Sequence, residues 1–494
     1  MTNYRAACYP REDRLNSSEF SIYQPDPDDV PDPEEFQTAV ARFGQRPEKD
    51  AAHYLESYIS TCEENEVTPV PQMFRLLQAK AKKNLVDRLQ NRRASVYLPG
   101  NDSASNRRLD DIDLAVICSF MEYHFPDGIR SIDLRYNVLE DAEALCTLLK
   151  NSTAMKAVNL MYNPLTETSI ATLASAALVS SFVVLLSAIQ RLLFHEFFLY
   201  VSKCLVNLCL NGVKLAKTSG LIIADLVINL PSLRYLGLAY CEVKLEVLIA
   251  IMIPIKTNVI ELSALDITSP NIPDWASKTV FIDQCADMLV PSKYLKELYL
   301  GKMGLDDFAL ERLLPALQRN TSLQLLDLHG NKLNRDGARM LMRLIQNGSR
   351  LEVLNLDCSS FTDEGAEYMA NAIYESDFLK TISLRFCRIG DQGIDYLSKA
   401  IAHGKVSRIY VWQGTSIKGP GCKAFCDLMN RGRIQEDQTD VRFYKVDEVC
   451  QMAENSHAGI RRWELYTPNY GGYSHQACYD GFAEPEPQPY FNTF

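Results

Sequence analysis

LKELYL at residues 295–300, LQLLDL at 323–328, LEVLNL at 351–356 and LKTISL at 379–384 open four segments spaced 28 residues apart. At the eleventh position of each stands an apolar residue: Leu305, Leu333, Phe361 or Ile389. A polar breaker follows (Asp306, Asn334, Thr362, Gly390), then a small residue (Ala309, Gly337, Gly365, Gly393). Apolar pairs four apart come next, at Leu313/Leu317, Leu341/Ile345, Met369/Ile373 and Leu397/Ile401. Self-similarity at a fixed period of this length signals a repeat architecture.

In L-x-x-[LI]-x-L the last two apolar residues alternate, so they share one face of a short strand and the residue between them points away. The breaker is of the N-cap type, whose side chain accepts from the first free N–H groups of a helix. The apolar pairs then give that helix one stripe facing the strand. A single strand–helix unit cannot bury both faces, and stacking units makes one continuous core.

Working outward, clear units open at Ile129, Met155, Leu205 and Leu233, a looser one at Val259, and a divergent last one at Val406, making ten in all. At roughly 4.8 Å per strand, ten units give a curved sheet of about 45 to 50 Å. Asn137, Asn163 and Asn331 fall in the turn after the strand, where their side chains are expected to bond backbone groups. Between Met155 and Leu205 the spacing exceeds one period by 22 residues. The excess lies in ALVSSFVVLLSAIQRLLFHEFFLYV, residues 177–201. A membrane span needs about 20 continuous apolar residues, and Gln190, Arg191, His195 and Glu196 interrupt this run. It reads as an insertion, or as a translated stretch absent from the mature message.

The flanks differ from the repeats. Residues 1–34, with PDPDDVPDPEE, read as a disordered acidic leader. Two helical stretches follow in 35–95, placed to cap the first repeat; Lys80, Lys82, Lys83, Arg88, Arg92 and Arg93 crowd the second. That basic face is either solvated or a patch for nuclear import or an acidic partner. The repeat domain covers 96–432, and 433–494 holds VRFYKV (441–446), expected to lie beside the last strand, and an aromatic, Pro- and Gly-rich tail.

DEGAEYMANAI (363–373) and DQGIDYLSKAI (391–401) after L-x-x-L-x-L segments resemble the ribonuclease-inhibitor-like class of leucine-rich repeat proteins. The resemblance covers about residues 96–430. It implies an α/β solenoid, a horseshoe with a parallel concave sheet and convex helices, and a role in binding and scaffolding. It brings no catalytic motif to carry over.

Hydrophobic content of 47% and charged content of 23% are those of an ordinary folded protein. A net charge of −11 argues against nucleic acid as the main partner, because phosphate binding needs a basic face. The fourteen cysteines form no CxxC pair and no zinc spacing with the seven histidines. The start, MTNYRAACYPRED, lacks the apolar stretch of a secretory leader. Together these point to a reducing, intracellular setting, cytoplasmic or also nuclear. No phosphate loop, GxSxG or HExxH occurs, so no enzyme activity, cofactor or metal is expected.

Function is then expected on the concave face, at the fifth and seventh positions of each unit. These are Tyr299, Asp327, His329, Asn355, Asp357, Ser383, Arg385, Tyr410 and Trp412. Aromatics and Arg most often anchor interfaces. Tyr410 and Trp412 have an equal alternative role, receiving the C-terminal tail as a cap. The expectation is a monomeric, non-catalytic scaffold holding a protein partner. The alternative is an enzyme regulator such as a GTPase activator, since one such family shares this repeat class. That would need an exposed Arg near a sheet edge, with Arg135, Arg335 and Arg388 as candidates.

Overall fold

In the computed structural model each repeat is one short strand followed by one helix, and within each compact unit the strands pair in parallel, in chain order. The structure describes residues 51–77, 94–100, 107–125, 128–152, 155–177, 205–447, 449–455, 469–470 and 473–474. The acidic leader, the basic stretch at 80–93, the insertion beyond its first residue and nearly all of the tail after 455 lie outside the described residues. Among the described residues no helix is long and apolar enough to cross a membrane. The chain divides into two compact units at 251/252.

The first unit begins with helices α1 (Ala51–Glu64) and α2 (Pro71–Leu77). α1 packs on α2 and on α3 (Asp111–His124), where Tyr58 meets Phe120 at 5.4 Å between ring centres and Ser57 Oγ lies 2.7 Å from His124 Nε2. Tyr58 is fully buried and its hydroxyl accepts from Val70 N–H at 3.1 Å, so the ring does not bury an unsatisfied oxygen. Strands β1 (Ala94–Tyr97), β2 (Ile129–Asp133), β3 (Ala157–Asn159), β4 (Asn207–Cys209) and β5 (Tyr235–Gly237) follow. Helices α4 (Glu143–Asn151), α5 (167–177) and α6 (Lys217–Asn229) lie between them. Ile132, Val158, Leu208 and Leu236 are in register and buried, one apolar rung per repeat. Helix α7 (Leu245–Lys256) contains the unit boundary.

The second unit holds the regular repeats. Its strands are β6 (Ala264–Asp266), β7 (Glu297–Tyr299), β8 (Leu325–Asp327), β9 (Val353–Asn355), β10 (Thr381–Ser383) and β11 (Arg408–Tyr410). Between and after them come α8 (Trp275–Leu289), α9 (Asp307–Arg319), α10 (Arg335–Gln346), α11 (Thr362–Glu375), α12 (Asp391–His403) and α13 (Pro420–Asn430). Leu265, Leu298, Leu326, Leu354, Ile382 and Ile409 stack in register and are fully buried. Those are the inward positions of L-x-x-L-x-L, so the hydrophobic pattern sets the ladder.

Two local features depart from the sequence reading. Of the four expected helix caps only Asp306 works from its own side chain, accepting from Ala309 N–H at 3.0 Å; Asn334 and Gly390 make no side-chain cap, and Thr362 lies inside its helix. At the starts of α10, α12 and α13 an aspartate of the preceding repeat accepts instead. Asp307 Oδ1 accepts from Asn334 N–H at 2.9 Å, Asp363 Oδ1 from Gly390 and Gly393 N–H at 2.6 and 3.0 Å, and Asp391 from Gly421 and Cys422 N–H at 3.1 and 2.9 Å. This explains the small residue at two helix starts: a Cβ on Gly337 would sit 2.5 Å from Asp307 Oδ1, and one on Gly393 2.7 Å from Asp363 Oδ1.

The second departure is at the C-terminus. VRFYKV does not lie beside β11. It forms β12 (Val441–Val446), paired antiparallel with β13 (Val449–Glu454). The residue that meets the last strand is Thr439, bridged to Ile409. The hairpin packs on α13, with Phe443 5.7 Å from Phe425, so its apolar residues find a helix rather than a sheet edge.

Candidate functional site

Residues 299, 327, 355, 383 and 410 end successive strands and sit side by side on the sheet face opposite the leucine rungs. Tyr299, Asp327, Asn355, Ser383 and Tyr410 are all buried, whereas His329, Asp357, Arg385 and Trp412 keep part of their surface. The eight expected partner-contacting residues, with Ser383, thus share one face but fall into two kinds.

Polar bonds run along the face from strand to strand. Tyr299 Oη donates to Glu297 Oε2 at 2.9 Å. Asn355 Nδ2 donates to Asp327 Oδ2 at 3.1 Å, and His329 N–H and Nδ1 reach Asp327 Oδ1 at 2.9 and 2.7 Å. A carboxylate only accepts, so His329 Nδ1 carries the proton. One repeat on, Asp357 Oδ1 accepts from Ser383 Oγ at 2.5 Å and from Arg385 N–H at 2.9 Å. Burial pushes the Asp357 carboxyl up, with Arg385 and the Ser383 hydroxyl pulling the other way.

Arg385 links this face to the chain beyond the repeats. Its Nε lies 3.2 Å from Asp440 Oδ2, and Nη2 lies 3.9 Å from Glu454 Oε1 on β13. Asp440 is fully buried and its two oxygens accept from Val411 N–H at 2.7 Å and Trp412 N–H at 3.0 Å. It therefore satisfies the backbone that follows β11, beyond which, among the described residues, the sheet has no further strand. Burial raises its carboxyl to about 6, against the opposing pull of Arg385 and the two N–H groups. Sequence reading missed Asp440, because a lone Asp before a strand is also an ordinary breaker. In the first unit Asp133 and Arg135 make a comparable buried pair at 3.3 Å, and burial again raises the carboxyl to about 6.

Beside the strand ends, a buried polar side chain spans adjacent turns. Asn331 Nδ2 donates to Leu300 and Leu328 C=O at 2.8 and 2.9 Å, and its Oδ1 accepts from Met303 and Leu305 N–H at 3.1 and 3.0 Å. Asn137 and Asn163 bond backbone in the same manner. In other repeats Cys241, Cys387 and Gln413 take this place, donating to Leu210, Leu356 and Leu384 C=O. Their chemistry is structural: each satisfies carbonyls that a turn leaves open.

Of the three arginines considered for enzyme regulation, Arg135 is buried and Arg335 engages Glu364 at 2.9 Å, while Arg388 is exposed.

A leucine-rich repeat family model matches residues 319–342, 350–370 and 376–398, the heart of the second unit. Leucine-rich repeat-containing protein 34 of Mus musculus is 39% identical over 198 residues, 40% of this chain and 47% of that protein. The Rattus norvegicus protein of the same name is 38% identical over 191 residues, 38% of this chain and 46% of that one. The chain spans about half the length of the curated relatives it matches. A solved internalin from Listeria monocytogenes overlaps 71% of this chain and 93% of its own at 14% identity, with a TM-score of 0.29, too loose a superposition to carry an argument. The chain is a leucine-rich repeat solenoid similar to leucine-rich repeat-containing protein 34.

Proposed function

We propose that the chain is a non-catalytic scaffold that holds a partner protein on the strand face of its second unit. His329, Asp357, Arg385 and Trp412 make the contact, while Tyr299, Asp327, Asn355 and Tyr410 fix the face from beneath. The observation that carries this reading is the row of hydrogen bonds from Asp327 to Arg385, closed by the ion pair of Arg385 with Asp440. It holds the His329, Asp357 and Arg385 side chains in place on the sheet, so less entropy is lost when a partner docks. Repeat proteins of this class use such faces for binding, which is an analogy of fold.

Trp412 supplies the test. A tryptophan anchor contributes at least about 2 kcal/mol, so Trp412→Ala is expected to weaken partner binding by roughly 30-fold with the unfolding midpoint nearly unchanged. A lower midpoint with normal affinity would make Trp412 part of the C-terminal cap and remove it from the site.

A further inference from the structure

Three thiols converge where the terminal hairpin rests on the last helix. Cys422 and Cys426 are one turn apart on α13 and Cys450 stands on β13. Cys422 Sγ lies 4.0 Å from Cys450 Sγ, both side chains are buried, and Cys426 neighbours Cys450 while keeping part of its surface. Among the described residues no group of three or more His, Cys, Asp or Glu could hold a metal ion. Two thiols in contact across separate elements need a closure of about 2 Å to reach bonding distance.

We propose that Cys422 and Cys450 form a disulfide on exposure to a small disulfide oxidant such as glutathione disulfide, with Cys426 as the entry thiol, and that this bond clips the hairpin onto α13. The chemistry balances by thiol–disulfide exchange. The Cys426 sulfur attacks one sulfur of glutathione disulfide, and the first glutathione leaves and takes the proton. Cys450 attacks the Cys426 sulfur of that mixed disulfide and releases the second glutathione. Cys422 then attacks Cys450, and Cys426 returns to its thiol. In sum two thiols are oxidised and one glutathione disulfide is reduced to two thiols. Burial pushes the Cys422 and Cys426 thiols up, which makes the exchange slow without altering where it ends.

Trypsin separates the three cysteines: Cys422 on GPGCK (419–423), Cys426 on AFCDLMNR (424–431) and Cys450 on residues 446–461. Full-length protein is incubated with excess glutathione disulfide, quenched with acid and mapped by mass spectrometry. The expected product is GPGCK linked to the peptide 446–461, with Cys426 reduced. The clip closes a loop of some 28 residues, so the oxidised chain should also melt roughly 5 to 10 °C higher than the reduced one. Cys426→Ser should slow formation severalfold and leave the linkage unchanged. Cys422 and Cys450 both alkylatable after oxidation, glutathione left on Cys426 alone, or a linked chain with no melting shift would overturn the proposal. An unchanged rate in Cys426→Ser would remove the entry role. The mapping uses the native sequence, so it does not depend on any variant folding.

Discussion

Replacing Arg385 by Ala should destabilise the second unit by an amount that grows with pH. Arg385 is the cation next to Asp440, 3.2 Å away, and it also pulls down the Asp357 carboxyl. The folded-state pKa of Asp440 is raised to about 6 from an ordinary 3.8, so the protonated form favours the fold. Stability is lost as pH rises from the ordinary value toward the folded one, and in the native protein that loss levels off once pH exceeds about 6. Without Arg385 the folded pKa climbs further, and the loss continues instead of levelling. The difference between variant and native stability therefore stays small near about pH 5, where only the stem and its contact over Phe386 are missing. Above about pH 6 it grows by roughly 1.4 kcal/mol per pH unit until the new pKa is reached. Loss of the Arg385 pull on Asp357 acts with the same sign. Asp133 is common to both proteins and cancels. Urea unfolding at several pH values between about 5 and 8, followed by tryptophan fluorescence, measures the difference. A difference that is constant across that range, or larger at low pH, would refute the linkage between Arg385 and Asp440.

Two further substitutions probe the rest of the framework. Asp363→Ala removes the acceptor of Gly390 and Gly393 N–H and should cost about 1 to 2 kcal/mol, with faster amide exchange at the start of α12 rather than of its own helix; exchange rising only in α11 would contradict capping between repeats. Asn331→Ala strands two carbonyls and two N–H groups and should cost about 2 to 4 kcal/mol, whereas Cys387→Ala, which loses one weak donor, should cost about 1 kcal/mol or less; equal losses would show that the side-chain bonds do not matter there.

The repeat pattern was legible because L-x-x-L-x-L is local: each leucine's neighbour in sequence already tells which face it takes, and the registered rung Leu298, Leu326, Leu354 and Ile382 follows. The strand-face row was legible for the same reason, as the fifth and seventh positions. What local reading could not supply was anything made between repeats. Asn334 and Gly390 looked like caps or breakers by type, yet the acceptors that serve their N–H groups are Asp307 and Asp363, 27 residues earlier. Cys241 and Cys387 occupy the turn position that Asn holds elsewhere, which a scattered cysteine does not announce. VRFYKV had strand composition, but composition does not name a partner, and Val449–Glu454 lay nearer in sequence than the edge of the last repeat. Nor does a strand position tell burial: Tyr299 and Tyr410 stand where exposed anchors were expected and are covered.

The proposal that a partner protein docks on the strand face is tested most directly by site-specific photo-crosslinking in the full-length protein. One probe replaces His329 on the strand face and another replaces Glu311, exposed on α9. After irradiation with native cell extract, a discrete protein adduct is expected from position 329 and not from 311, and it should be lost when Trp412→Ala is added. Adducts from 311 alone, or equal adducts from both positions, would contradict a strand-face site.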